Sequence, residues 1–455
     1  MQEPPLATVD TPFLTEVDPE IAVKGSMDPL GLLPLWTRYG RRVVGNLTLV
    51  ASSARGFTTL LLGYAFARRL VEERGLPEVR FVDAFLVFEQ IAAYSRLADA
   101  EEREVPVGRV LGLRRVRGRY ASAKRVPIGG GRDAQILSNQ RAYGLWALFS
   151  GAAEQSGLLE RKAMRLSEVA EAFVCKTAYR RLEEAGLRDG RAIVDLMAKP
   201  SVFEPRGRHE PVARTLAALH EDAFDADEQA FYLEHLARGG LSDPDGCQRA
   251  LWEVLHDFNE AEGRWGDALD MGELEGLIAL ARKREYTELA ERLESIRRFD
   301  HVIGPASLVF GYLQEHGDER AIEDVASAVR GTWGEGLRHV EPERLVGELE
   351  PVRQLHGDIG VQRFERLARA LREGEWAVVI ECVLAQNADV MARRGGGPWV
   401  VADGDVLRVR YRQDRAELIE APERELLHPY FLRSVKAVGG QVLGKLRDTE
   451  EDGDA

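Results

Sequence analysis

"GFTTLLLGYAFARRLVEERG", residues 56–75, decides the fold class. Phe57, Leu60, Leu61, Tyr64 and Val71 recur at helical spacing, and Gly75 followed by Pro77 stops the pattern, so the stretch predicts an amphipathic helix. Its nearly apolar core, "FTTLLLGYAFA", is about half of the ~20 residues a membrane-spanning helix needs. The same periodicity continues outward. "VRFVDAFLVFEQIAAYSRLA" reads as a second helix. "RALWEVLHDFNEAE" places Leu251, Val254, Leu255 and Phe258 on one face, and "QRFERLARALREG" does the same with Phe364, Leu367, Ala368 and Leu371. No fixed repeat period is visible, which argues against a regular solenoid. Near the C-terminus "PWVVADGDVLRVRYRQ" places two β-rich runs around Asp403-Gly404-Asp405, a hairpin signal. "EWAVVIECVLAQNADVMARR" before it and the region of "YFLRSVKAVGGQVLGKL" after it read as helices.

At 455 residues the chain is too long for one core. The expected architecture is mainly α and multi-domain, with small β elements: a winged-helix-like unit and a C-terminal β-hairpin. The expected divisions are an extended arm over 1–28 and a helical domain with a basic Gly/Arg loop over 29–135. A winged-helix-like or helical unit follows over 136–205, a helical domain over 206–372 and an α plus β-hairpin unit over 373–447. An acidic tail over 448–455 ends the chain.

The formal charge is −14, with 75 acidic and 61 basic residues. Only eight of the bases are lysine, a composition expected of a GC-rich genome. Cys175, Cys247 and Cys382 lie far apart, form no CxxC and leave an odd thiol, which points to a reducing compartment. The acidic N-terminus lacks the apolar core of a signal peptide. A cytoplasmic protein is the expectation.

Within this acidic chain, "RVLGLRRVRGRYASAKRVPIGGGR" (109–132) carries Arg109, Arg114, Arg115, Arg117, Arg119, Lys124, Arg125 and Arg132 and no acid. Its glycines break helical periodicity, so it reads as strand and loop. Three roles are open for it. The cations could neutralise nucleic-acid phosphates, DNA ahead of RNA, with Tyr120 stacking on a base and Arg141 nearby. They could pair with the chain's own acids, or meet an acidic partner protein. "WTRYGRR" adds Arg38, Arg41 and Arg42 as helpers. "IGGGRDA" could cradle an anion if a helix N-terminus followed it, though glycine triplets more often make a turn.

Two alignments suggest a winged helix. "MRLSEVAEAFVCKTAYRRLEEAGL" ends like a recognition helix but is too short for the usual turn. "YGLWALFSGAAEQSGLLERKAMRLSEVAEAF" reads better, as helix, hairpin and closing helix. Its plain alternative is a helical hairpin.

Signatures of specific chemistry are missing. "GGQVLGKL" (439–446) matches GxxxxGK but has Leu446 where a Mg²⁺-binding Ser or Thr is needed, and no strand precedes it. The nine histidines form no HxxxH or HxH pair and read as surface helix residues, so no metal or cofactor is expected. There is no GxSxG or SxxK. An effector enzyme with a dispersed active site remains a third option.

Finally, "VKGSMDPLGLLPLWTRYGRRVVGNLTLVASSARGFTTLLLG" (23–63), "ARRGGGPWVVADGDVLRVRYRQ" (392–413) and "HPYFLRSVKAVGGQ" (428–441) resemble segments of proteins in multi-gene prokaryotic antiphage defence clusters. The resemblance implies one component of a complex, working beside an ATPase, nuclease or other effector encoded in the same operon. It implies no catalytic residues. The expectation is a non-catalytic binding or scaffolding subunit that contacts nucleic acid or a partner protein; the alternative is a DNA-binding transcriptional regulator with a winged helix.

Overall fold

The computed structural model describes residues 28–187, 190–263, 265–266, 268–413 and 417–447. The tail expected over 448–455 lies outside them, as does the arm expected over 1–28 except for Asp28. The protein is mainly α with small β elements. From the N-terminal side come α1 (Leu33–Arg41), α2 (Ala54–Glu73), α3 (Arg80–Arg103), α4 (Leu113–Ser122) and β1 (Val126–Ile128). Next are α5 (Gln140–Tyr143), α6 (Leu145–Gln155), β2 (Leu159–Glu160), β3 (Arg165–Leu166), α7 (Glu168–Val174), α8 (Arg180–Glu184), α9 (Arg191–Met197) and β4 (Ser201–Phe203). Helices α10 (Glu210–Ala218), α11 (Ala226–Tyr232), α12 (Cys247–Glu262), α13 (Met271–Lys283) and α14 (Thr287–His316) follow. The described chain closes with α15 (Ile322–Trp333), α16 (Pro342–Leu345), α17 (Glu350–Glu373), α18 (Trp376–Arg393), β5 (Val400–Asp403), β6 (Val406–Val409) and α19 (Leu432–Val442). The strands pair antiparallel as β1–β4, β2–β3 and β5–β6. No helix among the described residues is long and apolar enough to cross a membrane.

The described residues divide into two compact units, one within 37–297 and 428–447, the other within 28–36 and 298–427. In the larger unit α2 and α3 form the centre. Both are buried on nearly every side, which explains their almost continuous apolar sequence. Tyr64 of α2 stacks on Trp146 at 5.4 Å and meets Phe81 and Phe85 edge-on at 5.2 and 5.7 Å. A Cβ on Gly63 would come within 2.6 Å of the Phe85 ring, so this helix pair needs a glycine where the two helices meet. Polar groups in the core are tied together. Asn46 Nδ2 donates to Ser156 Oγ at 2.9 Å, and Gln248 Nε2 donates to Asn46 Oδ1 at 2.8 Å.

In the smaller unit Phe299 stacks on Phe364 at 5.2 Å and Trp333 meets Trp376 at 5.6 Å. The expected hairpin pairs Val400 with Val409 and Asp403 with Val406, and Gly404 turns it in the left-handed region at φ 62°.

One expectation needs correction. The basic stretch is not strand and loop: residues 113–122 are the helix α4, and only Val126–Ile128 is strand. Leu113, Val116 and Tyr120 fall at i, i+3 and i+7 and are buried, and Gly112 starts the helix at φ 75°, where a Cβ would lie 2.3 Å from the Ile136 carbonyl oxygen. The exposed Gly118 weakens the helix without ending it. Residues 164–187, the first winged-helix alignment, contain no turn between helices, as their short span indicates. A π turn, Cys175–Tyr179, carries α7 directly into α8.

Candidate nucleic-acid interface

Helix α4 turns its apolar stripe inward and its cations outward. Arg114, Arg115 and Arg117 are exposed, as are Arg132 and Arg141 further on. None of these five has an ion-pair partner among the described residues. The other members of the basic stretch are engaged. Lys124 Nζ lies 2.8 Å from Glu101 and Arg125 Nε lies 3.2 Å from Glu204. Arg119 donates to the Gln135 carbonyl at 2.9 Å, and Arg109 donates to Ser52 Oγ at 3.2 Å. Internal pairing therefore accounts for Lys124 and Arg125, and backbone or hydroxyl bonds for Arg119 and Arg109.

Tyr120 does not offer a stacking face. Its ring is fully buried, and Lys124 covers it at 4.1 Å from the centroid. Among the helpers from "WTRYGRR", the Arg41 guanidinium is engaged while Arg42 is exposed. Arg41 donates to the carbonyls of Val44, Gly45 and Leu47 and lies over Phe431 at 3.9 Å. Arg42 lines a wide cleft of about 500 Å³ with Asp243, Asp245 and Arg292, and its carbonyl accepts from Arg292.

What holds the surface in place is a polar network that sequence reasoning missed. Gln140 is fully buried and donates to the Leu86 carbonyl at 2.9 Å and to Glu89 Oε2 at 2.8 Å. Gln90 Nε2 donates to Gln140 Oε1 at 3.1 Å and to the Gly129 carbonyl at 3.0 Å, while its Oε1 accepts from Gly129 N at 2.9 Å. That last bond takes an amide the glycine triplet would need as an anion cradle. The signal was present: Glu89-Gln90 sits in an otherwise apolar run of α3, and buried polar groups require partners. Glu89 also accepts from Leu145 N at 2.9 Å. Burial pushes its carboxyl up to about 7, against the lowering effect of the Leu145 and Gln140 bonds. A cavity of about 30 Å³, about one water in size, lies beside it and is lined also by Ser53, Thr59, Arg96 and Arg109.

A second buried cluster joins α2 to residues 220–232. Arg55 pairs with Glu228 at 2.8 Å, donates to the carbonyls of Glu221 and Ala223, and lies over Phe224 at 3.7 Å. His220 is not a surface residue: its Nδ1 bonds the Leu216 carbonyl at 2.6 Å and its Nε2 bonds Thr59 at 2.8 Å. Burial first, then the Arg96 charge, pushes its pKa down to about 3. His301 is buried as well. Among the described residues no group of histidine, cysteine and carboxylate side chains could hold a metal ion.

The segment 145–174 has the order helix, hairpin, helix that the second winged-helix alignment needs. β2 and β3 pair Leu159 with Leu166. Arg68 of α2 holds the hairpin tip through the Ala163 and Met164 carbonyls, while Arg161 and Lys162 at the tip are exposed. The near-miss GxxxxGK lies along the end of α19, and its Lys445 pairs with Glu260 at 3.0 Å. Comparison with protein-family models, with curated proteins and with solved structures found no match for this chain.

Proposed function

We propose that this protein is a binding or scaffolding subunit that contacts nucleic acid through α4 and the residues around it. The observation that carries the reading is the set of exposed arginines 114, 115, 117, 132 and 141, without an ion-pair partner among the described residues. The chain has 75 acids for 61 bases, so acids are in surplus; these arginines are nonetheless left for something outside the fold. A phosphate backbone is the polyanion that rewards such an array, through counterion release. The likeness of residues 23–63, 392–413 and 428–441 to defence-cluster proteins supports a place in a multi-protein antiviral complex.

The test is binding of a labelled strand to the full chain at about 50 and about 200 mM salt. Replacing Arg114, Arg115 and Arg117 with Ala should lower affinity. It should also reduce the slope of log K against log salt by about 2, since each phosphate neutralised on a single strand accounts for ~0.7 of that slope. An unchanged slope would show that α4 touches no phosphates.

The helix–hairpin–helix segment favours a second reading, a winged-helix regulator of transcription with Arg161 and Lys162 on the wing. Selection from a random duplex pool would enrich one sequence under that reading and none under the first.

A further inference from the structure

We infer that the α4–α5 surface takes single-stranded nucleic acid, with the ring of Tyr143 as the platform on which a base stacks. This rests on the arginine reading above and names its substrate class. Tyr143 is 60% exposed, while Tyr120 is buried. A tyrosine left in solvent on a mobile loop would mean little, but α5 is held firmly. Gln140 anchors its start through the buried bonds to Leu86, Glu89 and Gln90. Asn139 caps it by accepting from Ala142 N at 3.2 Å. At its end a Cβ on Gly144 would lie 2.8 Å from the Glu89 carboxylate and 2.4 Å from the Gln140 carbonyl oxygen, so the backbone is pressed against α3. The ring is thus presented on a fixed support and loses little freedom on stacking.

The arginines share that support. Arg119 of α4 bonds the Gln135 carbonyl, and Gln140 N bonds Gln135 Oε1 at 3.4 Å. Gly112, at the start of α4, abuts the Ile136 carbonyl. Both helices therefore pack on residues 135–136, with Arg132 and Arg141 close by in the chain. Exposed cations and a fixed aromatic ring on helices that share one support are the elements of a single-strand site: phosphates meet the arginines and an unpaired base meets the ring. A duplex hides its base faces and gains nothing from Tyr143.

The experiment uses the full chain and three probes: a labelled oligothymidylate of about 12 nucleotides, an abasic strand of the same length, and a duplex. Tyr143→Ala should weaken oligothymidylate binding about 10-fold and leave abasic-strand binding unchanged. Tyr143→Phe should restore it, because the face and not the hydroxyl is used. Replacing Arg114, Arg115 and Arg117 with Ala should weaken both strands. If Tyr143→Ala binds oligothymidylate as the parent does while the arginine variant fails, stacking is wrong and the arginine surface stands. Tighter binding to duplex than to single strand overturns the single-strand assignment. No binding of any probe at about 50 mM salt overturns both readings.

Discussion

Glu89 and His220 are buried without an ion-pair partner among the described residues, and they respond to pH with opposite sign. The Glu89 carboxyl is raised from 4.5 to about 7. The folded state therefore holds its proton more tightly than the unfolded state, and stability falls as pH rises through that window. His220 is lowered from 6.5 to about 3, so the unfolded state binds the extra proton and stability falls as pH drops through 6.5. The two slopes oppose each other between 4.5 and 6.5, and only Glu89 acts above that. A neutral isostere separates them. Between about pH 5 and pH 8, Glu89→Gln should gain on the parent by up to about 3 kcal/mol, read from urea midpoints. Parallel pH profiles for the two proteins would show that Glu89 does not titrate in this window.

At the scale of elements, ion pairs differ in worth according to burial. Arg55 and Glu228 have side chains only 2% and 4% exposed, and Glu228 also closes the capping box that starts α11. Arg55→Ala leaves that carboxylate buried with Arg181 at 3.8 Å as its remaining cation, and should cost about 3 kcal/mol or more. Arg103→Ala, which removes exposed pairs to Asp99 and Glu221, should cost under about 1 kcal/mol. Equal losses in chemical denaturation would refute the distinction. Helix α4 follows the same logic from outside: Arg114, Arg115 and Arg117 are exposed and form no ion pair among the described residues, so their removal should leave the far-ultraviolet circular dichroism and the melting midpoint unchanged.

For the whole molecule, the division at Arg297–Arg298 and Leu427–His428 makes the smaller unit's longer segment an insertion in the larger. Leu427 N donates to Asp300 Oδ2 at 3.0 Å, so the chain enters and leaves that segment at neighbouring points. Residues 37–297 joined to 428–447 by a flexible linker of about eight residues, reaching ~26 Å, should fold cooperatively and keep the strand binding proposed for α4. An aggregated or non-cooperative product would show that the larger unit's core is not self-sufficient.

Local pattern alone, in periodicity, turn residues and charge, determined the helical class, the positions of α2 and α12, and the β5–β6 hairpin, because each of those signals lies within one short window. It also marked the basic stretch as unusual. It misjudged the local structure there, since glycines at 112 and 118 look like breakers until the stripe of Leu113, Val116 and Tyr120 has a core to face. Which arginines remain free, that Tyr143 and not Tyr120 is exposed, and how Glu89, Gln90 and Gln140 hold the surface were decided only by tertiary structure. Burial and ion pairing depend on residues such as Glu101, Glu204 and Ile136, which lie elsewhere along the chain, and only folding brings them to α4 and its neighbours.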